Sequence, residues 1–156
     1  MKAAFAALAV FLVAGSALAG PVAPRDGWEV FDTAKPYDAL VEDLTAAIAD
    51  QKMGLVTQAG PTAAAAKRGI TIPGNRIFGV FRNDFAVRTL KTSVAAMIEA
   101  PIRFYVTEGA DGKATLAYKT PSFVFSPYVA EGGEELKAIG AELDGIFAAI
   151  AADAID

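Results

Sequence analysis

The stretch Ile102-Arg103-Phe104-Tyr105-Val106-Thr107, followed by Asp111-Gly112 and then Lys113-Ala114-Thr115-Leu116-Ala117-Tyr118, carries the reading of the fold. Apolar Ile102, Phe104 and Val106 alternate with Arg103, Tyr105 and Thr107, the period-2 pattern of a strand with one buried face. Asp-Gly is among the strongest short turn signals, so the second run returns as the hairpin partner. Upstream, Arg76-Ile77-Phe78-Gly79-Val80-Phe81 is apolar on both faces, the pattern of a central strand covered on both sides. Trp28 to Phe31 and Leu55 to Gln58 read as two further short strands.

Helices fill the intervals. Pro36 stands at a first helical position, where its missing N–H is no loss. Leu40, Leu44, Ala47 and Ile48 then share one face, up to a break at Gly54. A short alanine-rich helix starts at Pro61-Thr62. Lys67 and Arg68 suit the negative end of its dipole, and Gly69 is placed as a left-handed cap. Asn83 or Asp84 is expected to cap the next helix, with Val87, Leu90, Val94, Met97 and Ile98 inward and Arg88 and Lys91 outward. Pro101 stops it. Pro121 and Pro127 mark a loop bearing Phe123, Phe125 and Tyr128. Leu136, Ile139, Leu143, Ile146 and Ile150 define a final amphipathic helix. The order β-α-β-α-β-α-β-β-α predicts an α+β domain with a single mixed sheet. Since each long helix has one apolar stripe, the helices are expected mainly on one face of it.

The first residues belong to a different pattern. Met1-Lys2 precedes an apolar run from Ala3 to Val13, and Ala17-Leu18-Ala19 comes before Gly20-Pro21. Positive charge, apolar core and small residues at −3 and −1 make a secretory signal, with cleavage between Ala19 and Gly20. A membrane anchor fits less well, because a spanning helix needs about 20 apolar residues. Residues 1–19 are thus read as signal peptide, 20–27 as a lead-in, and 28–152 as one domain. The expected location is periplasmic or secreted, with no stable membrane anchor after processing.

Composition narrows the chemistry. The chain has 14 Lys and Arg against 18 Asp and Glu, and loss of Lys2 with the signal makes it more acidic still. Nucleic acid is therefore not an expected partner. There are no Cys and no His. Disulfides, thiolate metal sites, serine–histidine triads and the usual haem or copper ligands are excluded. A metal would have to be held by oxygen ligands alone, and no cofactor and no metal site is expected.

In Ala64 to Pro73, Lys67-Arg68-Gly69-Ile70-Thr71-Ile72-Pro73 follows an alanine run, and Arg76 to Phe81 comes next. Glu99-Ala100-Pro101-Ile102-Arg103-Phe104-Tyr105-Val106 and Asp111-Gly112-Lys113 with Tyr118 and Pro121 complete a set of four motifs in order. Together they resemble domain-of-unknown-function family 302, with the core of the likeness at residues 55–121. The resemblance implies a compact bacterial α/β domain, frequently a homodimer, and implies no reaction. Two positions depart from the family pattern. Ala59-Gly60 stand where many members carry a His, and Phe81-Arg82-Asn83-Asp84 where many have Gly-Asn-Pro. Any role of that His is thus not available to this chain.

Four groups of residues are candidates for binding. Arg82-Asn83-Asp84 sit at a strand-to-helix junction, where backbone N–H groups meet anions; helix capping explains the same residue types. Arg103 and Tyr105, with Tyr118, line either a shallow polar cleft, a dimer surface or an ordinary exposed sheet face. Phe123, Phe125 and Tyr128 form a ligand wall or a loop folded onto the core. Glu131, Glu134 and Glu135 read either as an acidic cation site or as acids favoured by the dipole at a helix N-terminus, and the dipole alone explains them. No catalytic residue is assigned. The expectation is a non-enzymatic homodimer that binds a small ligand or an envelope protein. The alternatives are an enzyme using carboxylate, Lys or Tyr chemistry, and an accessory subunit of an envelope complex.

Overall fold

A computed structural model describes residues 22–156, so the expected cleavage residues Ala17, Ala19 and Gly20 lie outside the described part. The elements run β1 (Trp28–Pro36), α1 (Tyr37–Asp50), β2 (Gly54–Ala59), α2 (Thr62–Ala66), β3 (Asn75–Phe81) and α3 (Asn83–Thr92). A 3-10 helix (Ala95–Glu99), β4 (Ile102–Glu108), β5 (Lys113–Lys119), α4 (Pro121–Phe125), a 3-10 turn (Ser126–Tyr128) and α5 (Val129–Ile155) follow. The strands form one five-stranded sheet in the order β1-β5-β4-β3-β2.

Every pairing in that sheet is antiparallel, where a mixed sheet was expected. A parallel pair needs a helix carried across the sheet between its strands. Here α2 is a short rim helix, and α3 leaves the sheet to pack on α5. The chain therefore returns beside the strand it left, in the opposite sense. The overall class is α+β with helices on one face, as the single stripes required.

That face is the core. Leu40, Leu44, Ala47 and Ile48 of α1 are all buried, as are Leu136, Ile139, Leu143, Phe147 and Ile150 of α5. They meet Phe78, Val80, Ile102, Phe104, Val106, Leu116 and Tyr118 from the sheet. Phe104 stacks on Phe147 at 4.6 Å between ring centroids, and Tyr118 meets Phe104 edge-on at 5.0 Å. Such pairs contribute about 0.5–1.5 kcal/mol beyond area burial. Lys35 ties the layers at the rim, with its ammonium on Asp43 of α1 at 2.8 Å and on the Ala154 carbonyl at 2.9 Å. No helix among the described residues is long and apolar enough to cross a membrane.

The structure moves several local boundaries. Pro36 ends β1 and precedes the helix by one residue. Lys52, in the left-handed region at φ 58°, turns the chain after α1, and Gly54 already belongs to β2. Gly69 does adopt the expected left-handed conformation, at φ 73°. The loop expected at Pro121 is the short helix α4, with Thr120 accepting from the Phe123 amide. Phe125 is buried there, while Phe123 is exposed.

The main correction concerns α3. Val87, Leu90, Val94 and Ile98 face solvent, Val94 and Ile98 being 75% and 78% exposed. The inward residues are Phe85, Ala86, Thr89, Ser93 and Ala96. Two features turn the helix this way. Arg88, expected outward, pairs with Glu135 at 2.9 Å and Glu142 at 2.7 Å on α5, so its flank must face that helix. Ser93 leaves the helix with an extended backbone (φ −152°), which breaks the period joining Leu90 to Val94. Its hydroxyl donates to Glu131 and accepts from the Ala96 amide, so the break is itself hydrogen-bonded.

Candidate functional site

The pattern of β3 predicts cover on both faces, but among the described residues no helix lies across the second face of the sheet. Ile77 on that side is exposed. Alternation along the strands places Trp28, Val30, Ala117, Lys119, Arg103, Tyr105, Ile77 and Gly79 there, opposite the core set. The register aligns them in rows. Trp28 pairs with Lys119, Gly79 with Arg103 and Ile77 with Tyr105. Phe104 faces Tyr118, so one step along the same ladder Arg103 faces Lys119.

These rows floor a concavity of about 320 Å³ bordered by Trp28, Ile77, Arg103, Tyr105, Lys119, Glu99 and Val124. Gly79 makes room for Thr57 and Pro101 beside this row: a Cβ there would overlap Thr57 Oγ1 and lie 2.8 Å from the Pro101 ring. Tyr105 is oriented by Asn75, whose side-chain amide donates to the phenol oxygen. Glu99 is held by the Tyr128 hydroxyl, which donates to it at 2.7 Å. That bond pushes the Tyr128 phenol above its ordinary pKa. Lys119 Nζ and the Arg25 guanidinium approach the Trp28 ring, at 5.5 Å and 5.1 Å from its centroid. The site thus joins an aromatic and aliphatic floor to two cationic side chains.

Of the residues singled out in the sequence, Arg103, Tyr105 and Tyr118 all border this pocket. Tyr118 does so from β5 with its ring packed on the core side. It is 3% exposed on the core face, between Phe104 and Phe147, and burial pushes its phenol up to about 12. The reason is register. A two-residue Asp111-Gly112 turn would set Tyr118 opposite Tyr105, on one face. The chain instead uses a longer loop, with the Gly109 amide donating to the Lys113 carbonyl and Gly112 at φ 77°. The register shifts by one, which moves every side chain of β5 to the other face.

Arg82, Asn83 and Asp84 are apart from the pocket, at the start of α3. Arg82 binds Asp84 through two nitrogens, at 2.9 Å and 3.2 Å, and lies over the Phe85 ring at 4.4 Å. That contact holds the Asp84 carboxyl below its usual range. Arg82 is the N-cap residue and no side chain makes a capping bond, so neither Asn83 nor Asp84 caps as expected. The glutamates at the start of α5 are each engaged: Glu131 by Ser93, Glu134 by Lys137 and Glu135 by Arg88. Among the described residues no group of three carboxylates is placed to hold a metal.

The residues missed in the sequence are Trp28, Ile77, Glu99, Lys119 and Val124. Trp28 is the one Trp of the chain, a signal in itself. Lys119 was recoverable only with the correct hairpin register. A second, open concavity of about 460 Å³ lies at Tyr37, Gln58, Ala59, Gly60, Thr62, Asn75 and Arg76.

Comparison with known proteins agrees with the fold. A solved structure, an uncharacterized conserved protein DUF302 from Bacillus stearothermophilus, superposes with a TM-score of 0.72 at 17% identity. The match covers 85% of this chain and 100% of that one. No curated protein matches the chain. The family model described as "Domain of unknown function DUF302" matches residues 30–150, from β1 almost to the end of α5. The chain therefore belongs to the DUF302 family.

Proposed function

We propose that this protein is an exported, non-enzymatic homodimer that binds a small molecule in the pocket on the uncovered sheet face. The observation that carries the reading is a concave, largely apolar site with a few polar groups at its edge, on an otherwise open surface. Its volume of about 320 Å³ falls at the small end of the range for ligand pockets. Trp28, Ile77 and Val124 supply apolar contact, and Tyr105 supplies an oriented hydroxyl. The displaced carboxylates Asp84 and Glu142 lie elsewhere, in ion pairs with Arg82 and Arg88. Both are held down, whereas a proton donor would be raised.

A partner surface is supported by a separate observation, the exposed apolar residues Val87 and Leu90 on α3 and Val94 and Ile98 beyond its end. Exposed apolar residues gathered on one segment mark protein contact sites. We assign this segment to contact with a second copy of the chain. Export rests on the charge, apolar run and small residues of positions 1–19. Native mass spectrometry of protein recovered from the exported fraction tests all three parts. The expected species is twice the mass of a chain beginning at Gly20, carrying a small adduct that leaves on denaturation. A monomer, an N-terminus at Met1, or a chain that takes up no ligand from a small-molecule library would each remove the corresponding part.

A further inference from the structure

We infer that the occupant of the pocket is a small organic anion: an apolar body of one or two rings bearing a carboxylate, sulfonate or phosphate. The inference rests on the reading of the pocket as a ligand site and adds the chemistry of its occupant. Arg103 and Lys119 sit directly opposite one another on β4 and β5, on the uncovered face. Like charges in facing positions of a sheet repel. The chain is acidic overall, with carboxylates in excess. Lys35, Arg82, Arg88 and Lys137 each hold one within 4.0 Å. Among the described residues Arg103 and Lys119 hold none, as is also true of cations such as Lys52 and Lys91; what sets these two apart is that both border the pocket.

Glu99, the carboxylate that borders the pocket, is engaged by the Tyr128 hydroxyl. Two facing cations without a counter-ion, beside Trp28 and Ile77, match a ligand with one charged end and one apolar end. An anion placed between Arg103 and Lys119 would relieve their repulsion. The apolar body would then rest over Ile77 and against Trp28.

The single Trp reports on this site, and two dyes of matched shape separate the charge from the body. Trp28 emission is followed while the full chain is titrated with anilinonaphthalene sulfonate, an anion, or with neutral phenylnaphthylamine. The sulfonate should quench Trp28 with at least about tenfold tighter binding at low salt, and added salt should narrow the gap by screening. Arg103→Gln with Lys119→Gln, both at exposed positions, should bring the sulfonate to the affinity that the neutral dye shows for the same variant. Equal quenching by both dyes would overturn the anion and leave the pocket. Dye binding without a change at Trp28, or no binding, would overturn the pocket reading and the anion with it.

Discussion

Tyr118 shows how one side chain links packing to pH. Burial pushes its phenol up to about 12, with the Glu29 and Asp144 carboxylates adding to the rise. The folded chain keeps a proton that the unfolded chain releases near the ordinary value of 10, so folding is favoured below that pH and loses support as pH climbs towards 12. Tyr118→Phe keeps the ring between Phe104 and Phe147 and removes the titration. The variant should melt within a degree or two of the parent at neutral pH, by roughly the scale of a surface change. Its relative stability should rise steadily in melts taken from pH 10 to about 12. Arg88 has the opposite sign. Its hydrogen bonds hold the Glu142 carboxyl below the usual range, so their contribution is present at neutral pH and lost as acid protonates Glu142. Arg88→Met should lower the melting temperature slightly at neutral pH, since exposed pairs contribute little. The gap should close on acidification; a gap that persisted at low pH would mean that packing of the Arg88 stem dominates.

The helices divide by how their neighbours constrain them. α1 and α5 were legible because each has one stripe and lies directly on the sheet, so the periodic residues have a single place to go. Even so, Phe147 was missed in α5, and it is the residue that stacks on Phe104. Leu136→Ala and Leu143→Ala should each cost about 2–5 kcal/mol in urea unfolding. Phe147→Ala should cost about 3–5 kcal/mol. Loss of less than about 1 kcal/mol at all three would show α5 to be peripheral. In α3 the apolar stripe and the flank bearing Phe85 and Arg88 compete, and ion pairing to α5 with the break at Ser93 turns the stripe outward. Val94→Asp with Ile98→Asp should therefore leave unfolding within about 1 kcal/mol of the parent. In light scattering the same change should convert a dimer to a monomer. Global unfolding of that variant would mean that the stripe is buried in solution.

At the scale of the whole fold, the helices of the described residues cover one face of the sheet and leave the other open, and that face holds the pocket. The amino-acid sequence by itself determined the class of the domain, its helical stripes, the Asp111-Gly112 reversal and the absence of thiol and imidazole chemistry. These are local properties: periodicity, turn chemistry and residue inventory survive without knowing any neighbour. The shared face of Arg103 and Tyr105 was legible for the same reason, since alternation within β4 sets it. Only the tertiary structure decided that the sheet is antiparallel throughout, that α3 turns its apolar stripe to solvent, and that Lys119 stands opposite Arg103 while the Tyr118 ring packs in the core. Those outcomes depend on loop length, strand register and helix roll. A shift of one residue in β5, or a part-turn of α3, reverses which side chains meet the core, and the competing arrangements differ only through contacts between elements distant in the chain.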